Sequence, residues 1–196
     1  MKRLLGIDCS STTIGLGVLE IDDENNIKYV SMDYIKPLKT GTIIERIVDT
    51  RNKIKAIIEK EEPTHIAIEE IIQFMGGKST AKTIIMLTTF NRMVCLLAYD
   101  YLNKNPELFN VMSIRHGLKL NKILPKKEEI PDLVANHLNI KFPWEFNKKG
   151  KPKVENYDRA DGVAVALYHA YILTGKVKGK AKKSVEPKGK KAKKKV

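Results

Sequence analysis

The chain has 196 residues, 42% apolar and 30% charged, the balance of a soluble globular protein long enough to bury one full core. Its net charge of +13 is uneven: Lys176 to Val196 holds eleven Lys and one Glu, a net of +10, so residues 1–175 are only mildly basic at about +3. Two cysteines, Cys9 and Cys95, are too few for a disulfide framework and read as free thiols of a reducing compartment. No apolar stretch reaches the ~18 residues of a membrane span, and no secretory signal opens the chain, so the expectation is an intracellular protein with no membrane partner.

In chain order, Leu4 to Ile7 is an apolar run ending in Asp8, followed by small residues and a second run alternating apolar with small side chains. This reads as a buried strand, a tight Ser/Thr turn and an antiparallel strand. Asp8 then ends a central strand, where α/β sheets gather their chemistry and where a charge is costly to desolvate without a partner. After a turn at 22–26, residues 27–35 complete a three-stranded meander. Residues 42–59 carry apolar side chains at helical spacing, and Glu61-Glu62-Pro63 ends that helix. Residues 65–70 form a short apolar strand that again finishes in carboxylate.

Gly76-Gly77 breaks the chain, and Ser79 is placed to cap a long helix reaching about Leu102. Its wide apolar belt suits burial on two sides, by the sheet and by either a partner subunit or a monomer's own core. Residues 111–114 read as the last strand. A basic segment follows, then a helix over 127–138 that Pro131 bends or delays. Residues 141–155 read as an irregular basic loop and 156–173 as an Ala- and Val-rich helix. The lysine-rich end has too few apolar residues to order itself. The organisation is one domain over 1–175 and a disordered tail over 176–196. The fold class is α/β: a five-stranded mixed sheet with helices on both faces.

Four acids stand apart from the surface background: Asp8 and Glu69 at strand ends, and Asp158 and Asp161 opening the last helix. The i,i+3 spacing puts the last two on one helical face, and small Ala160 and Gly162 let that turn approach the sheet. Acids near a helix N-terminus also simply favour its dipole. Their convergence with the strand-end carboxylates, however, makes a cluster that repels itself without cations. Hard oxygen ligands call for Mg²⁺ or Mn²⁺, and two such ions about 3.5–4 Å apart activate a water and steady the leaving oxygen of a phosphodiester. His65, His116, His137 and His169 have no zinc spacing. His169, about two turns beyond Asp161, either borders the acidic site or packs in the core or on the surface, packing being the ordinary reading.

Leu5-Gly6-Ile7-Asp8 with Gly15 and Gly17, then Ala67-Ile68-Glu69, then Asp158-x-x-Asp161, resemble the RuvC-type Holliday junction resolvases of the RNase H-like superfamily over about residues 3–173. The resemblance implies an RNase H-like sheet of three antiparallel then two parallel strands. It implies Asp8, Glu69, Asp158 and Asp161 as the catalytic, metal-binding set, with two Mg²⁺ or Mn²⁺ ions. It also implies a homodimer formed through the helix 79–102 and paired symmetric nicks on four-way DNA junctions. The segment 70–78 matches a junction-facing loop, with Phe74 a candidate for base stacking and Lys78 for DNA contact. Lys119 and Lys127 stand roughly where the family places basic residues. Cys9-Ser10 replaces the usual Pro-Gly, Glu70 directly follows Glu69, and the lysine tail is atypical. These departures suggest a diverged viral, phage or organellar member.

Arg115, Lys119, Lys122, Lys126, Lys127, Lys148, Lys149, Lys151 and Lys153 are candidate DNA-backbone contacts, and the tail adds non-specific affinity. Three rival readings are open. An actin-like ATPase shares the opening hairpin but needs Gly where Ser10 stands. A YqgF-like RNA-processing nuclease or a general branched-DNA nuclease uses the same acids. A non-enzymatic basic DNA-binding protein fits the lysines but leaves the acids unexplained. The expected location is the cytoplasm or nucleoid of a bacterial host, with nucleus or organelle open because of the tail.

Overall fold

Strand β1 (Lys2–Asp8) pairs antiparallel with β2 (Ile14–Ile21), placing Asp8 opposite Gly15 and Gly6 opposite Gly17. The Ser10 hydroxyl closes the turn between them by accepting from the Thr12 and Thr13 amides at 3.2 and 3.0 Å, a side-chain substitute for a backbone turn. At the next corner Asp22 accepts from the Asn26 and Glu24 amides, and Asn25 takes a left-handed φ of 64°. β3 (Ile27–Ile35) then completes the meander. This computed structural model describes residues 1–71, 80–120 and 122–177.

Helix α1 (Ile43–Glu61) starts in a Thr42/Glu45 capping box, ends at Glu62 in the left-handed region, and returns the chain to β4 (His65–Glu69). β4 lies parallel to β1, with Leu5 opposite Ile66 and Ile7 opposite Ile68. α2 (Ala81–Leu102) is capped by Thr80, whose hydroxyl accepts from the Thr83 amide; the anticipated cap, Ser79, lies outside the described residues.

The segment after α2 differs from expectation. The last strand is not 111–114 but β5 (Glu107–Phe109), parallel to β4, while Val111–Leu118 forms helix α3. The Asn110 side chain accepts from the Ser113 amide and so starts a helix where the β-branched and apolar residues suggested a strand. A 3-10 turn (Lys127–Glu129) leads into α4 (Ile130–Leu138), with Pro131 in its first turn. α5 (Glu155–Leu173) is the last helix. Lys176 and Val177, the first two residues of the anticipated tail, still pack on it: the Lys176 ammonium sits over the Tyr171 ring.

The sheet order is β3-β2-β1-β4-β5, with a core on each face. On one side Leu5, Ile7, Leu16, Ile66 and Ile68 pack against Ile54 and Ile58 of α1 and Phe90, Val94 and Ala98 of α2. On the other, α5 lies across the sheet beneath α3 and α4. Each large aliphatic side chain so buried stabilises by about 1.5–3 kcal/mol relative to exposure. Contrary to the expectation from sequence, α2 is long and apolar enough, by length and composition alone, to cross a membrane. Here it packs one stripe on the core and leaves Ile85, Leu96 and Tyr99 exposed.

Candidate active site

Strand register sets the first half of the site. Ile7 and Ile68 are paired neighbours, so Asp8 and Glu69 emerge side by side at the carboxyl ends of β1 and β4. Close helix packing supplies the second half. A β-carbon on Gly6 would stand 2.3 Å from the Ala166 amide nitrogen, and one on Gly15 would stand 1.7 Å from the Asp158 carbonyl oxygen. Glycine at these positions lets α5 rest on the β1–β2 backbone, which carries Asp158 and Asp161 to Asp8. Carboxylate oxygens of Asp8, Asp158 and Asp161 lie within 4.8 Å of one another. Glu69 lines the same cleft, together with Ser10, Thr12, Arg115 and Lys127.

The acids strain one another electrostatically. Burial, then the charges of Glu69 and Asp161, push the Asp8 carboxyl well above the usual carboxylate range. Burial and the Asp161 charge raise Glu69 to about 7, against the pull of Arg115 and Lys127. Burial raises Asp161 to about 6 although Lys127 opposes it. The Lys127 ammonium lies 3.2 Å from Asp158 and 3.3 Å from Asp161. Burial alone would lower its pKa, but Asp161, Asp158 and Asp8 together raise it to about 12. Half-buried hard-oxygen donors that repel one another, with a lysine ammonium between two of them, form a donor set suited to divalent cations.

Glu69 and Glu70 take different roles. The Glu69 carboxyl faces Asp8 and Asp161, while Glu70 turns to Arg92 of α2 at 2.8 Å. The Asn91 amide donates to the Glu69 carbonyl at 2.9 Å, fixing the strand end from behind. Cys9 is buried among the apolar residues facing α1 and α2, and burial pushes its thiol far up, so it fills space rather than reacting. His169 is 3% exposed and packs edge-on to His65 and against Phe109, away from the carboxylates.

The basic candidates separate. Arg115 and Lys127 join the acidic cleft. Lys119, Lys122 and Lys126 are exposed and outside it, while Lys148, Lys149 and Lys151 are exposed on a hairpin ahead of α5. Lys153 is paired with Glu145. Phe74 and Lys78 lie outside the described residues.

Several positioning residues had no sequence signal. Buried Arg159, beside Asp158, donates to Glu145 at 2.8 Å and to the Pro143 carbonyl at 3.0 Å, and also meets Asn156. Arg46 of α1 donates to the Ser11 carbonyl at 2.7 Å and the Leu38 carbonyl at 2.6 Å, pinning the turn that follows Asp8. Their partners lie up to 35 residues away, beyond any local pattern.

The family model described as "Crossover junction endodeoxyribonuclease RuvC" matches residues 4–169. A protein of that name from Xanthomonas euvesicatoria pv. vesicatoria (strain 85-10) is 27% identical over 172 residues, spanning 88% of this chain and 89% of the relative. Among solved structures, T. thermophilus RuvC in complex with Holliday junction substrate superposes with a TM-score of 0.66 at 18% identity, over 88% of this chain and 95% of that one. The yeast mitochondrial Holliday junction resolvase gives 0.62 at 15% identity, over 89% and 80%. These likenesses show the RNase H-like fold of the resolvases.

Proposed function

The chain belongs to the RuvC family of crossover junction endodeoxyribonucleases, and on that premise we propose that its acidic cleft hydrolyses phosphodiesters of four-way DNA junctions with divalent metal. The observation that carries the reading is the meeting of Asp8, Asp158 and Asp161 within 4.8 Å, with Glu69 beside them. An acidic cleft alone repels DNA, so it serves a phosphate substrate only with cations in it.

Asp8, Glu69, Asp158 and Asp161 would hold the divalent ions, a hard-oxygen set that suits two Mg²⁺ or Mn²⁺. Bound divalent ions supply activation of a water and charge neutralisation at the leaving oxygen. The chain's own residues do the rest. Asp8 faces Glu69, Asp158 and Asp161, so its carboxylate would be the central donor of the set. Lys127 neutralises Asp158 and Asp161 and offers its remaining protons to a non-bridging phosphate oxygen. Arg115 supports Glu69 and Asp161 from the last turn of α3. Arg46 and Ser10 hold the 9–13 turn so that Asp8 keeps its aim.

Two sites acting on two strands need two subunits. The exposed Ile85, Leu96 and Tyr99 of α2 are the surface through which the chain forms its homodimer. The matched Xanthomonas relative is bacterial, and a DNA-acting member of this family works in the cytoplasm, where bacterial DNA lies.

The test is a substrate panel with Mg²⁺: a four-way junction, a flap, linear duplex, single strand and structured RNA. The reading predicts paired symmetric nicks on the junction. Preferential cutting of structured RNA would replace it with an RNA-processing role, and ATP turnover without cleavage would return the ATPase reading.

A further inference from the structure

The connection between α4 and α5 was expected to be an irregular loop, yet it contains a hairpin. Phe146 and Pro152 form an antiparallel bridge, the Asn147 amide donates to the Lys151 carbonyl at 2.8 Å, and the Lys153 amide donates to the Glu145 carbonyl at 2.9 Å. Its tip is closed by the Asn147 side chain, which accepts from the Lys149 and Lys151 amides, and by Gly150 at a φ of 70°. Lys148, Lys149 and Lys151 are all exposed there, with no ion pair among the described residues.

Three exposed lysines are ordinarily a solvated face. This hairpin differs because its root is fastened to the first turn of the helix that carries Asp158 and Asp161. Asn156 is fully buried; its side chain donates to the Glu145 carbonyl at 2.8 Å and accepts from the Glu145 amide at 3.0 Å. Glu145 also accepts from buried Arg159 and from Lys153. Phe142, Trp144 and Tyr157 pack in sequence beside this knot, the first pair tilted at 4.9 Å and the second edge-to-face at 6.0 Å.

The root also lies on the catalytic edge of the sheet. Asp8 pairs with Gly15, Ile14 pairs with Ile35, and Lys36, the next residue, forms an ion pair with Glu155. A hairpin of this length carries its tip on the order of 10 Å beyond its root, a distance spanned by about three successive phosphates of one strand.

We propose that the 145–153 hairpin is a DNA-binding arm, its Lys148, Lys149 and Lys151 gripping the phosphate backbone of a junction arm beside the cut. The inference rests on the nuclease reading for the identity of its partner. The rigid root makes the grip a positioning device as well, because a phosphate held by the arm stands at a set distance from Asp158.

The experiment measures junction binding by the full chain without divalent metal, as a function of salt. K148A/K149A/K151A is compared with K2A/K28A/K60A, which removes the same charge from the opposite end of the molecule, where β1 and β3 begin and α1 ends. Each lost phosphate contact lowers the slope of log affinity against log salt by about 0.9, so the arm variant should lose about 2.7 in slope. Its affinity at low salt should fall at least tenfold, while the control variant keeps the wild-type slope. An unchanged slope in the arm variant overturns the proposal. Equal losses in both variants overturn it too, because they would assign the effect to net charge rather than contact. Binding is read without cleavage, so a protein that grips junctions through the arm but never cuts them would refute the nuclease reading and leave the arm standing.

Discussion

Gly162 of α5 lies against Gly15 of β2 so closely that a β-carbon on Gly162 would stand 2.5 Å from the Gly15 carbonyl carbon. Backbone touches backbone here, so neither neighbour can yield by rotating a side chain. Gly162→Ala must push the start of α5 off the sheet, and Asp158 and Asp161 move with it. Overpacking of this kind costs about 1–3 kcal/mol. The expected outcome is a lower thermal midpoint together with a loss of junction cleavage far larger than the loss of folded protein. A variant that melts earlier but cuts normally would show that the contact is only structural.

The acids proposed to hold the metal should destabilise the metal-free protein. Asp161 is raised to about 6 and Glu69 to about 7, both above their unfolded values, so the folded state holds extra protons between roughly pH 4 and 7. Stability is then greatest below that window and falls as pH rises through it. Asp161→Asn removes one of these charges while Lys127 keeps Asp158 as partner. It should raise metal-free stability at pH 8 by about 1–3 kcal/mol and have little effect at pH 4. Added Mg²⁺ should stabilise the wild type and not the variant. Thermal melts at the two pH values, with and without Mg²⁺, check this. Because metal and protons compete for these carboxylates, the Mg²⁺ concentration needed for half-maximal cleavage should fall as pH rises from 6 to 7.

Leu96 is 60% exposed on the outer stripe of α2, while Phe90, Val94 and Ala98 are buried beneath it. A dimer formed through this helix covers Leu96, and a charge there costs more than the interface gains. Leu96→Glu should convert the dimer to a folded monomer in sedimentation at micromolar concentration. An unshifted dimer would place the interface elsewhere.

Much of this was legible in the sequence, and the reasons are physical. α1 shows helical spacing, β1 and β4 are short apolar runs ending in carboxylate, and α5 is an Ala- and Val-rich run opening on Asp158 and Asp161, so local pattern is sufficient to place the four acids. The segment 107–118 misled because Glu107–Phe109 is a three-residue strand too short to show alternation. The Asn110 cap outweighed the strand preference of Val111 and Ile114. Lys127 stands out in the sequence only as a basic residue at a family-like position and a candidate DNA contact; its pairing with Asp158, 31 residues on, needs the fold. Arg159 likewise reads as a helix-surface charge, yet it is 7% exposed because Glu145 and the Pro143 carbonyl receive it. Gly15 and Gly17 were visible as motif letters; only the packing of α5 showed what they make room for.

Eleven lysines between 176 and 196 should add sequence-independent attraction to phosphate. Deleting residues 178–196 leaves the Lys176 and Val177 contacts to α5 in place. The truncated chain should bind junctions more weakly and with a shallower salt dependence, and it should cut at the same nucleotides. Mapping the nicks on a sequencing gel checks the last point, and displaced nicks would make the tail a determinant of specificity.

The central claim is that Asp8, held between Glu69 and the Asp158–Asp161 pair, is the ligand on which metal-dependent junction cleavage depends. Its most direct test is Asp8→Asn assayed on a four-way junction in Mg²⁺, with binding measured in parallel. The account predicts cleavage reduced by at least about a thousandfold, in keeping with loss of a metal ligand, with junction affinity equal to wild type or tighter. Normal cleavage by Asp8→Asn in Mg²⁺ would contradict it.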